Sequence, residues 1–350
     1  MSGMSYKLLK WYEDNKREMP WRGIKDPYKI WLSEVILQQT RVNQGWNYYN
    51  RFTEKYPTVT KLAAASEHDI LKLWQGLGYY SRARNMHHAA KEIASTHKGK
   101  FPTDYESIRA LKGVGDYTAA AIASIAYNLP YPVVDGNVLR VYSRYLGISN
   151  PIDSTEGKRK IWKAAAELLP DKNPGTYNQA IMELGALCCT PKNPNCEECP
   201  LQSTCYAFAN KITDKLPVKQ GKTKVRERYL NYLVITSGNK LLIRHRTGND
   251  IWKGMYDFPC IETERPILTE GLLKNTELKT LLINAKPVIE KVSETYKHIL
   301  SHQKLHASFM QMRLGKPLKK IPENCIWIEK KNVEKYALPR LIDNYISKYF

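Results

Sequence analysis

No run of about eighteen consecutive apolar residues occurs in the chain, which excludes a membrane-spanning helix. Met1–Tyr12 is polar and has no apolar core, so no secretory leader is expected and a cytoplasmic location follows. Acidic residues are scarce: 34 Asp and Glu stand against 54 Lys and Arg, a net charge of +20. Such an excess fits a polyanionic partner, nucleic acid first. The excess is shared between the two halves. Residues 1–217 carry 29 basic and 21 acidic groups and residues 218–350 carry 25 and 13, so both can lie along DNA. The seven cysteines are an odd set and mostly clustered. That argues against a disulfide framework and for a metal site in a reducing compartment. Long period-two alternation is missing before residue 217, so the first part reads as all-α. The 350 residues, 43% hydrophobic and 25% charged, suit a globular chain of two domains.

The chain is organised around residues 111–137, LKGVGDYTAAAIASIAYNLPYPVVDGN. Lys112-Gly113-Val114-Gly115 is a tight turn between two helical patterns, and two glycines let backbone bend sharply and approach another surface closely. The helix starting at Asp116 or Tyr117 offers free N–H groups and a positive dipole end, which suit an anion such as DNA phosphate. An ordinary helix corner without a ligand would look the same. The segment closes on Val133-Val134-Asp135-Gly136-Asn137, which sets one carboxylate after an apolar run.

Upstream, residues 4–17 and Tyr28–Thr40 read as helices, with Asp26-Pro27 starting the second. Glu34 sits among Ile30, Trp31, Val35, Ile36 and Leu37. It is either a solvated face residue or a buried carboxyl with a raised pKa, and the latter suits a general acid near neutral pH. Further helices are expected at Trp46–Tyr56, Val59–Ala65, Glu67–Leu73, Ser81–His97, Asp104–Ala110, Val138–Leu146, Lys158–Leu169 and Tyr177–Cys188. Between two of them, Gly76-Leu77-Gly78-Tyr79-Tyr80 either presents an aromatic ring for stacking between bases or packs one under a glycine turn.

Cys189, Cys196, Cys199 and Cys205 have the spacing C-x6-C-x2-C-x5-C, with Pro191, Pro194 and Pro200 keeping the loop compact. Four thiolates over seventeen residues can wrap one metal centre. Zinc and a cubane iron–sulfur cluster both fit that ligand set. Cys188 is adjacent and off the pattern, and Cys260 and Cys325 read as buried free thiols. After a basic linker, 218–228, the texture changes. Tyr229–Thr236 and Lys240–Arg246 read as strands joined by a Ser237-Gly238-Asn239 hairpin, followed by strands near 286–299 and 305–314 and a helix near 337–348. Residues 229–350 are therefore expected to form an α+β domain.

The L-x-G-V-G turn with an Asp twenty residues on resembles the helix-hairpin-helix DNA glycosylases. The cysteine spacing matches the 4Fe–4S loop of the endonuclease III and MutY glycosylases. Over most of its length the chain resembles the MutY family of adenine DNA glycosylases, most specifically at 20–43, 74–86, 111–143 and 177–208. The resemblance implies an all-α glycosylase domain at 1–217, with its hairpin at 111–135 and its 4Fe–4S cluster at 189–205. It also implies a Nudix-like, MutT-like domain at 229–350 that reads 8-oxoguanine. The implied reaction is hydrolytic removal of a flipped-out adenine opposite 8-oxoguanine or guanine. Glu34 matches the general acid that protonates adenine N7. Asp135 matches the carboxylate that stabilises or attacks the oxocarbenium-like sugar, the two-carboxylate logic of glycosidases. Asn137 would orient Asp135. Tyr117 stands where lyase-competent relatives carry a Schiff-base lysine, and tyrosine cannot form that imine, so a monofunctional enzyme is expected.

By the same resemblance Arg22 and Glu183 line the adenine pocket. Gln39, Thr40, Leu77 and Tyr79 enter the base stack, and Gly113 and Gly115 grip phosphate. Ser301 and His302 read the damaged base from Leu300-Ser301-His302, where the family usually has Phe-Ser-His, so an aromatic wedge is missing. No G-x5-E-x7-R-E-x-x-E-E-x-G pattern occurs in 247–285, so no Mg²⁺ site for pyrophosphate hydrolysis is expected. The implied partner is double-stranded DNA carrying the mispair, bound by a nucleoid-associated monomer. Some relatives also have sliding-clamp or mismatch-repair partners. Three other readings compete: a glycosylase/lyase acting on oxidised pyrimidines, a non-catalytic iron–sulfur damage sensor, and a MutT-like nucleotide hydrolase. Tyr117 and the added domain disfavour the first, the pairing of Glu34 with Asp135 the second, and the missing Glu cluster the third.

Overall fold

A computed structural model describes residues 3–221 and 225–350; Lys222 and Lys224 of the linker lie outside them. Up to residue 221 the described chain is helical throughout. In order it runs α1 (Gly3–Asn15), α2 (Pro27–Leu37), α3 (Val42–Lys55), α4 (Val59–Ala64), α5 (Glu67–Trp74), α6 (Ser81–Thr96), α7 (Tyr105–Ala110), α8 (Asp116–Tyr127), α9 (Gly136–Leu146), α10 (Thr155–Leu168), α11 (Pro174–Leu187) and α12 (Tyr206–Ala209). None of the described helices is long and apolar enough to cross a membrane. Two compact units emerge, Met1–Ala64 with Asn85–Gly221, and Ala65–Arg84 with Lys222–Phe350.

Within the first unit, side chains four apart on α1 set the packing: Met4, Leu8 and Tyr12 are buried against Val138, Val141 and Tyr142 of α9 and Tyr177, Ile181 and Leu184 of α11. Leu8 is fully enclosed, so truncating it to alanine would cost about 2–5 kcal/mol. The helix expected over Tyr28–Thr40 starts at Pro27, where Asp26 caps it through the Tyr28 N–H at 2.9 Å. It stops at Leu37, because the apolar sequence that burial stabilises gives way to Gln38-Gln39-Thr40; Gln39 has φ +57°.

The second unit is α+β. Its strands are β1 (Arg226–Ser237), β2 (Lys240–His245), β3 (Tyr256–Asp257), β4 (Cys260–Thr263), β5 (Val288–Val292), β6 (Tyr296–Ile299), β7 (Gln303–Arg313) and β8 (Cys325–Glu329). Helices α13 (Thr269–Lys274), α14 (Thr276–Leu281) and α15 (Arg340–Tyr349) accompany them. The sheet order is β3-β2-β1-β7-β5, with β4 on β1, β6 on β7 and β8 on β2. β1 and β7 form a parallel spine running from Arg226 opposite Gln303 to Thr236 opposite Arg313. The second half of β1 is buried on both faces, as a covered parallel strand should be. Leu233 and Ile235 pack with Leu272 of α13 and Leu278 of α14. On the other face Tyr232 stacks on Phe309, which stacks on Tyr345 of α15.

Residues 65–84, which sequence reading assigned to the first domain, group here with the second unit. His68 Nε2 lies 2.9 Å from the Lys335 carbonyl, Lys72 Nζ 3.2 Å from the Tyr336 carbonyl, and the Leu338 N–H donates to Gln75 Oε1 at 3.1 Å. These bonds are mostly to main-chain atoms, which carry no sequence signal. Cys325 is buried, while Cys260, expected to be so, is half-buried.

Candidate active site

A cavity of 620 Å³ opens in the first unit, lined among others by Arg22, Glu34, Gln39, Thr40, Tyr117, Asp135, Asn137 and Glu183. Eight of the residues singled out in the sequence therefore surround one space. Glu34 reaches it because α2 is apolar on nearly every face and is buried there: Ile30, Trp31, Leu32, Val35 and Ile36 are all enclosed. A helix buried all round carries its one acidic residue inside with it. Burial pushes the Glu34 carboxyl up to about 7, the Tyr117 hydroxyl opposes this by donating to Glu34 Oε2 at 2.5 Å, and the nearby charge of Asp135 adds to the rise.

Asp135 is the N-cap of α9. Its Oδ1 accepts the Val138 N–H at 2.7 Å and its Oδ2 accepts the Asn137 side-chain amide at 2.8 Å. Burial raises its pKa, and these donors with the charge of Arg140 work against that rise. Arg140 then donates to Asn137 Oδ1 at 2.9 Å, to the Gly185 carbonyl at 2.7 Å and to the Cys189 carbonyl at 2.7 Å. The carboxylate, its orienting amide and the cysteine loop are thus joined through one guanidinium.

Glu183 is buried with a different company. Arg17 grips it with two side-chain bonds of 2.8 Å and one backbone N–H at 2.9 Å, and Arg22 Nη2 adds a fourth at 2.5 Å. Burial alone would raise its pKa, but the bonds from Arg17 and Arg22 outweigh burial and hold it low. Sequence reading missed Arg17, Asn178 and Arg140. Asn178 accepts the Val133 N–H at 3.1 Å and donates to the Tyr131 carbonyl at 2.8 Å, which fixes the extended stretch leading into Asp135. All its partners, the Ser124 hydroxyl included, lie over forty positions away, so no local pattern marks it.

The hairpin takes the expected form. Gly113 has φ +81°, and a Cβ there would stand 2.6 Å from the Asn85 Cβ. Gly115 caps α8, and a Cβ there would meet nothing within 4 Å, so its face is open to an approaching surface. In the second unit, Leu77 is buried whereas Tyr79 is exposed with φ +46°. The Tyr79 hydroxyl hydrogen-bonds the Ser301 hydroxyl. Ser301 and His302 are the two exposed residues at the tip between β6 and β7, closed by the Leu300 N–H on the Gln303 carbonyl at 2.8 Å.

Cys189, Cys196, Cys199 and Cys205 line one small cavity in the first unit. Among the described residues no three Cys, His, Asp or Glu side chains converge as a single ion would need. Four cysteine sulfurs around one small cavity are a donor set that a 4Fe–4S cluster would take. Arg144 serves this loop as a scaffold, donating to the Thr190 carbonyl at 2.7 Å, the Leu216 carbonyl at 2.9 Å and Cys189 Sγ at 3.4 Å.

Comparison with known proteins agrees with this geometry. Residues 32–167 match the HhH-GPD superfamily base excision DNA repair protein family, residues 189–205 the iron-sulfur binding domain of endonuclease III, and residues 231–348 the NUDIX domain. The chain is 35% identical over 343 residues to the adenine DNA glycosylase of Buchnera aphidicola subsp. Schizaphis graminum (strain Sg), covering 97% of this chain and 96% of that protein. It is 39% identical over 268 residues to the adenine DNA glycosylase of Mus musculus, covering 74% of this chain and 51% of that protein. Among solved structures it resembles a thermostable thymine-DNA glycosylase with TM-score 0.55 and 27% identity, over 59% of this chain and 95% of that one.

Proposed function

Because the chain belongs to the adenine DNA glycosylase family, we propose that it removes adenine paired with 8-oxoguanine or guanine from duplex DNA, by hydrolysis and without strand cleavage. The observation that carries this reading is a buried carboxyl with a pKa near 7, tethered by a tyrosine hydroxyl and sharing one cavity with a second carboxylate. A 620 Å³ cavity is large enough for a nucleoside. With the flipped adenosine inside, protonated Glu34 donates to adenine N7 and turns the base into a neutral leaving group. As the C1′–N9 bond breaks, the sugar gains positive charge. The Asp135 carboxylate is held still by Val138 N–H and Asn137, so it stabilises that charge without reorganising. Water then adds at C1′. Its proton leaves to solvent or to Glu34, which restores the acid.

Tyr117 bears on the outcome of the reaction as well as on the Glu34 proton. A lysine at this position would attack C1′ and lead to strand cleavage; a phenol held high by burial and by Glu34 offers no such amine. Arg17, Arg22 and Glu183 form the wall that borders the base. Cys189, Cys196, Cys199 and Cys205 would hold the 4Fe–4S cluster, which when bound would staple the loop whose Cys189 carbonyl receives Arg140. Tyr79, Ser301 and His302 serve the opposite strand. Tyr79 is an exposed aromatic ring that can enter the stack, and the serine and histidine offer hydrogen bonds to an oxidised base.

The test is single-turnover reaction on a duplex with adenine opposite 8-oxoguanine, with alkali added afterwards or omitted. Breakage at the adenine only after alkali is the expected result. Breakage without alkali, or covalent trapping by borohydride, would overturn the hydrolytic assignment. No breakage in either arm, from protein with its cluster intact, would overturn the assignment of an enzyme.

A further inference from the structure

A second cavity, of 580 Å³, lies beside the first in the same unit. Tyr117, Val134 and Leu139 line both, so the two spaces share a wall. The second is nearly as large as the one that takes the adenosine, and neither Glu34, Asp135 nor Glu183 faces it.

One side of this cavity is a face of α10. Lys158 and Trp162 are four apart and Arg159 and Trp162 three apart, so the three side chains are neighbours on the helix surface. The packed face of the helix is a different one, made by Gly157, Ile161 and Ala165. Trp162 is 47% exposed, a large indole left outside the core. Charge is divided between the faces as well. Lys160 and Lys163 are engaged by Glu156 and Glu167, at 3.1 and 3.9 Å. Lys158 and Arg159, which line the cavity, form no ion pair among the described residues. The opposite side is braced. Tyr105 stacks flat on Tyr131, with ring centroids 4.0 Å and planes 6° apart, and Arg109 pairs with Asp116, which neutralises the acid at the head of α8. Glu106 is the other acid on the lining.

An exposed indole beside two cations is the combination that binds an unstacked nucleotide, the ring taking the base and the cations the phosphate. A neutral free base would have no use for the cations. On the reading of the first cavity as the seat of the flipped adenosine, we propose that the second holds the nucleotide adjoining it on the same strand, its phosphate on Lys158 and Arg159 and its base against Trp162. Unstacking a second nucleotide is costly, and these contacts offset that cost.

The test uses the full chain with its cluster and measures binding, by fluorescence anisotropy, to a duplex with a 2′-fluorinated, non-hydrolysable adenosine opposite 8-oxoguanine. Trp162→Ala should weaken binding about 5–100-fold, and Trp162→Phe, which keeps a ring, much less. Two further duplexes carry an abasic residue on the 5′ or the 3′ side of the adenosine. On one of them the parent and Trp162→Ala should bind alike. Lys158→Ala and Arg159→Ala should each lower the slope of log affinity against log salt by about one, and Lys160→Ala should leave it unchanged. Parent-like binding by Trp162→Ala overturns the proposal. So does a loss that persists on both abasic duplexes, or vanishes on both, since one cavity holds one neighbour. A slope change in Lys160→Ala as large as in Lys158→Ala also overturns it, because overall charge would then explain the effect. Thermal unfolding and iron content of Trp162→Ala separate a lost contact from a lost fold, and Trp162→Phe on the three duplexes repeats the comparison if alanine is not tolerated. Base release by the parent on ordinary adenosine reports separately on the reading of the first cavity.

Discussion

Carboxylates are buried in two regions of the molecule, and they are treated in opposite ways. In the sheet of the second unit Asp257 is fully enclosed, and Arg244 and Arg246 both grip it, at 2.9 and 2.7 Å. Arg228, only 6% exposed, is matched in turn by Asp250 and Glu262. Charge there is balanced by charge, each carboxylate held by a guanidinium. In the cavity of the first unit Glu34 is buried with no arginine: its neighbours are a tyrosine hydroxyl and a second carboxylate. Glu183, on the wall of the same cavity, follows the pattern of the sheet, with Arg17 and Arg22 around it. Burial alone does not make a catalytic acid. Burial without a compensating cation does, because the proton is then the cheapest counter-charge.

The largest effect should come from removing the proton that Glu34 carries. Glu34→Gln should slow single-turnover base release by about 10²–10⁴-fold while leaving mispair DNA binding in place, measured by quench kinetics and by fluorescence anisotropy. Equal loss of rate in Glu183→Gln would break the contrast between the two cavity carboxylates. In the sheet, Asp257→Ala strands two guanidiniums and should cost about 3–5 kcal/mol in urea unfolding of the second unit. A near-neutral result would mean that balance there is not structural.

The same Glu34→Gln change should have the opposite sign for stability. The folded pKa of about 7 lies above the ordinary 4.5, so the contribution of Glu34 is full below pH 4.5 and is lost as pH rises through 7. Glu34→Gln should therefore be more stable than the parent by about 3 kcal/mol at pH 8, with the gap closing toward pH 4.5, as thermal unfolding at the two pH values would register. The base-release rate should fall above pH 7 as Glu34 deprotonates. The smallest effect is in the tether. Tyr117→Phe removes the bond that lowers the Glu34 pKa, so this limb should move to higher pH; a downward move would contradict the assigned hydrogen bond.

Much of the site was legible in the sequence because its parts sit in local patterns. Asp135 reads as a carboxylate after an apolar run, Gly113 and Gly115 as a turn, and the cysteines by their spacing. Arg17, Arg140 and Asn178 left no such trace. Arg17 follows the end of α1 as any solvated arginine could, and only the packing of α11 brings Glu183 to it. The grouping of 65–84 with the second unit was equally silent, since the chain has no change of composition at either edge of that segment.

Family resemblance singled out Glu34 and Asp135, and the sequence by itself determined the helical first part, the β-rich second and the four-thiolate loop. These depend on periodicity, caps and spacing, which act over a few residues. Only the tertiary structure decided that Glu34 is buried rather than solvated, and that Glu183 is an ion while Glu34 holds a proton near pH 7. Each of those depends on which distant groups exclude water or supply charge, and a linear pattern does not specify that.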